Sequence, residues 1–231
     1  MIRTLATGLT TLAILLALTP AFAAQDATAQ EILDNMTREV EATEDAAFLL
    51  TGRLVDSDGT SINLEVEFEV IPELEVARAT FYQPDALADN VVVFRDDAIH
   101  NYLFLTNQVT IFAADDPDAL GGLLPEGDDE GSFRFTLDLE ELFAGWETTV
   151  EGYEDGAYML RFVNVAPDAA ITEAEVRVPE SDWVPREIVL FTSDGRMLAE
   201  IHVEEYRSNT GLDPADVVWL PEDAEIIDER D

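Results

Sequence analysis

The two histidines, His100 and His202, are the only imidazoles in the chain, and it has no cysteine. Each histidine stands inside a strand-like alternation, and neither has a second ligand at His-x-x-x-His spacing or a nucleophile beside it. Without cysteine there is no thiolate metal site, no thiol nucleophile and no disulfide framework. Fifty Asp and Glu residues place carboxylates so densely that no pair stands out as an acid and base couple. No Gly-x-Ser-x-Gly, P-loop or Rossmann fingerprint occurs. Two acidic turns, Asp56-Ser-Asp-Gly59 and Gly127-Asp-Asp-Glu-Gly131, carry oxygen ligands of the kind hard cations take. Neither completes an EF-hand loop, and both are read as solvated turns. The expectation is a protein that is not an enzyme, with no cofactor and no metal.

The chemistry that remains is apolar. In Leu64-Glu-Val-Glu-Phe-Glu-Val70 the residues Leu64, Val66, Phe68 and Val70 share one face of a strand, while Glu65, Glu67 and Glu69 share the other. Period-two alternation of this kind builds a sheet with one apolar face and one wet face. A hydrophobic content of 47% beside a net charge of −38 describes an ordered acidic protein rather than an acidic tail. That charge excludes nucleic acid, whose phosphates require a basic face. It also opposes lasting attachment to anionic membranes, so only transient membrane contact is expected. All twelve basic residues are Arg, a bias attributed to composition rather than function.

Residues 1–23 read as a secretory signal peptide: Arg3, the apolar run Leu12 to Leu18, Pro20, and the small-x-small end Ala21-Phe22-Ala23. The run is shorter than the roughly 20 residues needed to span a bilayer. Residues 24–231 are expected to form a single exported domain, since no Pro, Ser or Gly-rich linker divides them.

Residues 28–44 carry Ile32, Leu33, Met36 and Val40 at helical spacing. Strands are predicted over 47–55, 61–71, 76–82, 90–95, 99–105, 108–113, 148–153, 157–165, 173–178, 187–192 and 197–206. Short turns such as Asp56-Ser-Asp-Gly59, Thr106-Asn107, Glu154-Asp-Gly156 and Ser193-Asp-Gly195 join them into an antiparallel meander. Two further helical patterns, over 117–124 and 137–146, flank an acidic loop at 126–131. The acidic end, 221–231, is expected to fray. The fold class is mainly β (α+β): a single curved antiparallel sheet, an open half-barrel. The N-terminal helix and short lid helices pack on its concave apolar face.

In its order of elements the chain resembles the LolA family of periplasmic lipoprotein carriers and their half-barrel relatives. The resemblance rests on Val70-Ile-Pro72 and Phe81-Tyr-Gln-Pro84, then on the hairpin Val91-Val-Val-Phe-Arg-Asp-Asp97 with Ile99-His-Asn-Tyr-Leu-Phe104. It continues in Pro185-Arg-Glu-Ile-Val-Leu-Phe-Thr-Ser-Asp-Gly195, Tyr206-Arg-Ser-Asn209, Leu212-Asp213 and Val218-Trp219-Leu-Pro221. One position departs from it. Ile71 stands where the best-known carriers have an Arg that ties the sheet to its lid helices, and Ile71 cannot form that charge-assisted bond.

The resemblance implies a non-enzymatic periplasmic carrier, a monomer, that holds the acyl chains of lipoproteins or lipids and takes them to the outer membrane. It further implies an inner-membrane donor complex and an outer-membrane acceptor. The candidate lining comprises Leu64, Val66, Phe68, Val70, Phe81, Tyr102, Phe104 and Phe162, with Leu142, Phe143 and Trp146 as lid contacts. The other readings of the same fold are an envelope sensor that binds a protein partner, and a structural β module without lipid cargo.

Overall fold

Helix α1 (Ala29–Glu41) is closed at its start by a capping box, in which Thr28 Oγ1 accepts from Glu31 N at 3.2 Å and Thr28 N donates to the Glu31 carboxylate at 2.8 Å. It buries Ile32, Leu33 and Met36 and turns its charged residues outward. The computed structural model describes residues 27–55, 58–114, 116, 119, 139–166 and 169–230. After α1 the chain runs through strands β1 (Ala46–Val55), β2 (Ser61–Ile71), β3 (Val76–Gln83), β4 (Val91–Arg95), β5 (Ala98–Leu103) and β6 (Gln108–Ala113). Then come the short helix α2 (Leu139–Leu142) and strands β7 (Glu147–Glu154), β8 (Ala157–Val163), β9 (Glu173–Pro179), β10 (Glu187–Phe191) and β11 (Met197–Ser208). The short helix α3 (Pro214–Val217) and a last strand, β12 (Glu225–Asp228), complete the described chain.

All twelve strands of the described residues lie in one open sheet of order β12-β6-β5-β4-β3-β2-β1-β11-β10-β9-β8-β7. Two meanders, β1 to β6 and β7 to β11, meet where β1 pairs with β11. The strand bounds predicted from alternation and turn residues hold to within a few residues, and those of β2 and β6 coincide with the prediction. The helical pattern at 137–146 contains α2. The pattern at 117–124 and the loop at 126–131 lie almost wholly outside the described residues.

The chain end departs from expectation. Residues 212–230 do not fray but cross the outer face of the first meander. There Val218, Leu220 and Ala224 pack against Val91, Val93, Tyr102 and Val109. Arg78 Nη1 donates to the carbonyl of Trp219 at 2.6 Å, and Arg95 Nη1 to that of Val218 at 3.3 Å. β12 then adds to β6 in parallel, with Glu225 opposite Gln108 and Asp228 opposite Ile111. Its acidic side chains stay in water, so backbone pairing rather than apolar burial holds it.

His100 lies beneath this strap, buried, with Nε2 accepting from Arg95 Nε at 3.3 Å. Burial, then the cations of Arg95 and Arg230, hold its imidazole below the usual value. His202 is on the outer face, 3.6 Å from Glu200.

Candidate ligand-binding face

The ladder register decides which side chains share a face. Phe48 stands opposite Phe68, Leu50 opposite Val66, and Gly52 opposite Leu64. Val66 faces Phe81 and Phe68 faces Ala79. The row continues through Val92, Phe94, Ile99 and Phe112. In the other direction it runs through Ile201 and Val203, Ile188 and Leu190, Val176, and Leu160. This inner face crosses every strand from β7 to β6, and outer-face positions of β2 carry Glu65, Glu67 and Glu69.

The two halves of the face are covered differently. Over β8 to β10, α1 and α2 fill it: Ile32, Leu33, Met36, Leu139 and Phe143 pack on Tyr158, Leu160, Phe162, Val176 and Ile188. Phe143 stacks on Phe162 with ring centroids 4.4 Å apart, and Trp146 adds to Phe143 at 5.0 Å. Over β2 to β6 the buried residues are Val66, Ala79, Phe81, Val92, Ile99 and Ala119. There Leu64, Phe68, Phe94 and Phe112 are only half-buried. Asn101, on this face, donates from Nδ2 to the Ala119 carbonyl at 3.3 Å.

The structure brings Leu64, Val66, Phe68, Val70 and Phe81 together on the first half of the face. Phe162, Phe143 and Trp146 gather in the packed second half, away from that group. Three of the eleven candidates fall elsewhere. Tyr102 has the opposite parity to Ile99 and packs under the C-terminal strap, where its hydroxyl donates to Asn107 Oδ1 at 3.2 Å. Phe104 lies beyond the end of β5 in the turn, half-exposed, and Leu142 of α2 is likewise exposed. Aromatic type had suggested Tyr102 and Phe104, but strand parity and the turn set their directions. Ile71 is buried at the end of β2.

Sequence reasoning missed Arg186. It immediately precedes β10 with the parity of Ile188, and its backbone carbonyl accepts from Val203 N at 3.0 Å. Every other described strand Arg belongs to the outer face. Arg186 Nη2 donates to Asp182, and its Cζ lies 5.4 Å from the centre of the Tyr206 ring. Its Nη1 is buried and has no hydrogen-bond partner among the described residues. Rings connect this guanidinium to the half-buried half of the face, with Tyr206 to Phe48 at 6.2 Å and Phe48 to Phe68 at 5.4 Å. The only sequence signal was its even spacing from Ile188 and Leu190.

The outer face is polar and largely satisfied. Tyr82 donates to Glu67 at 2.7 Å, and that bond, with burial, pushes its phenol up to about 12. Burial and the neighbouring Glu67 raise the Glu69 carboxyl, against the pull of Arg78. A shallow depression of about 400 Å³ on the outer side of β7 to β9 involves Glu151, Met159, Arg161, Glu173 and Glu175. Its cation is already engaged, because Arg161 grips Glu173 with two bonds of 2.8 and 2.7 Å. Among the described residues no three His, Asp or Glu side chains gather in a metal-binding group. Among them also, no helix is long and apolar enough to cross a membrane.

No protein-family model matches the chain. No curated protein sequence matches it either. Solved structures do. A conserved, uncharacterized protein from Thermus thermophilus is similar at 22% identity over 87% of this chain and 98% of that one, with a TM-score of 0.59. MucB is similar at 12% identity over 86% of this chain and 65% of its own, with a TM-score of 0.50. A LolA superfamily protein from Nitrosomonas europaea aligns at 11% identity over 84% of this chain and 98% of that one, with a TM-score of 0.40. At such identities the likeness is one of fold. That fold is, as expected from the sequence, a single open, mainly antiparallel sheet with few helices, its inner face packed by an N-terminal helix.

Proposed function

We propose that this chain is a non-enzymatic periplasmic carrier. It holds the acyl chains of a lipoprotein or lipid against the inner face of β1 to β6 and moves them toward the outer membrane. In this reading residues 1–23 direct export and residues 24–231 form the one working domain. The observation that carries it is the contrast between the two halves of the inner face. Among the described residues, helices fill the half over β8 to β10, whereas Ala119 packs on the other half and leaves Leu64 and Phe112 only half-buried there.

Such surface suits a hydrocarbon chain. Each methylene buried contributes about 0.8 kcal/mol, so a long acyl chain gains enough from an apolar trough to remain in water with its carrier. The half-buried side chains of this half are aliphatic and aromatic, and Asn101 beside them is already bonded to the Ala119 carbonyl.

A second reading is favoured by the likeness to MucB, a protein that has also been solved in complex with MucA(peri). In it, the same face takes a protein segment and the chain senses rather than carries.

Organic extraction and mass spectrometry of protein exported by an envelope-bearing host separates the two. The carrier reading expects acylated species at about one per chain, lost in a folded Phe112→Glu variant, and displaceable binding of a fluorescent acyl probe. Wild type that arrives free of acyl species and binds no probe overturns it and leaves the sensor or a structural module.

A further inference from the structure

We propose that Arg186 is the polar anchor of the inner face, donating from Nη1 to the carbonyl oxygen of a neutral acyl ester or amide. This rests on the carrier reading above and adds to it the headgroup chemistry and the direction in which the ligand lies. A guanidinium offers five donors, and one left buried without an acceptor loses its water hydrogen bonds for no return. Nη1 is such a donor, on a face whose other strand positions carry no charge. Among the described residues it meets no acceptor, and the Tyr206 ring lies against the guanidinium instead. An acceptor brought by a ligand completes the arrangement.

Charge decides which acceptor. Asp182 already neutralises the guanidinium through Nη2. A free carboxylate or phosphate would place a second anion against one cation, in a chain whose net charge is −38. A carbonyl oxygen satisfies the donor without adding charge. The side chain as a whole is 26% exposed, so the group lies at the margin of the buried region and a small displacement brings Nη1 to a ligand. The rings of Tyr206, Phe48 and Phe68 lead from Arg186 to the half-buried apolar surface. The ester therefore lies at the β10 end and the hydrocarbon runs past Phe68 toward the half-buried Leu64 and Phe112.

The test compares three probes of similar chain length by calorimetry: a monoacylglycerol ester, the corresponding fatty acid anion, and an alkane. Wild type is expected to prefer the ester to the anion. Arg186→Met is expected to weaken the ester about five- to tenfold, the loss of one buried hydrogen bond, while alkane binding, which also reports a folded face, stays within twofold. Asp182→Asn, which frees the cation, is expected to turn the preference toward the anion. An ester affinity unchanged in a folded Arg186→Met overturns this inference and leaves the carrier reading standing. The inference also falls if Asp182→Asn keeps the wild-type order of preference, which decides the matter should Arg186→Met not fold. Wild type that binds none of the three probes overturns both.

Discussion

Asp45 holds together the point where the first strand begins and the C-terminal strap departs. It is buried, and its carboxylate accepts from Thr210 N at 2.9 Å, Thr210 Oγ1 at 3.0 Å and Gly211 N at 2.8 Å. Burial alone would raise its carboxyl, but these donors outweigh it and leave it below the ordinary value. A carboxyl depressed in the folded chain binds its proton more readily in the unfolded one. Its contribution is therefore fully present above the unfolded pKa of about 3.9 and fades as pH falls through the folded value. Asp45→Asn keeps the shape but turns an amide N–H toward a backbone donor. It is expected to lower stability by about 2 kcal/mol at pH 7. Urea unfolding at a series of pH values checks this: the gap from wild type should hold above the unfolded pKa and narrow as pH falls below it toward the folded value. A gap that stays constant would mean that packing, not ionisation, makes Asp45 matter.

At the scale of elements, the join between the meanders depends on one glycine. A Cβ at Gly52 would lie 2.2 Å from the Glu200 carbonyl oxygen and 3.1 Å from Ile201 Cα, so β1 and β11 approach as closely as they do only without a side chain there. Gly52→Ala must push the two strands apart at the single contact that makes two meanders one sheet, and about 3 kcal/mol or more of destabilisation is expected. Gly152→Ala in β7 is the control. Its Cβ would meet nothing within 4 Å, and a change within about 0.5 kcal/mol is expected by thermal unfolding. Equal losses in the two variants would point to strand propensity rather than close approach.

The same scale explains what the sequence made legible. β2 was readable to the residue because Glu and apolar side chains alternate between water and core. Val91-Val-Val93 hides its parity because both faces of β4 are buried, one by the inner core and one by the strap. Tyr102, opposite Val91 on the neighbouring strand, packs on the strap side for the same reason. β12 was unreadable because Glu225-Ile-Ile-Asp228 has no alternation, and a parallel partner distant in sequence organises its four residues.

For the whole molecule, the deciding quantity is a net charge of −38, from fifty acidic and twelve basic residues. Ion pairs such as Arg53 with Glu200, at 3.0 Å with side chains 46% and 33% exposed, are too few and too wet to offset it. Surface repulsion therefore exceeds surface attraction in the folded chain, and it relaxes on unfolding. Salt shortens the Debye length from about 30 Å at 0.01 M to about 3 Å at 1 M, which weakens repulsion and attraction alike. Because repulsion is the stronger of the two, sodium chloride over that range is expected to raise the melting temperature by about 5 °C or more, or roughly 2 kcal/mol for a chain of this size. Calcium and magnesium chloride at equal concentration should give the same rise as each other, because screening does not read ionic radius. A rise with millimolar calcium that magnesium does not reproduce would instead reveal a coordinated ion. A melting temperature that falls with sodium chloride would mean that the exposed Arg pairs, despite their number, hold the outer face together.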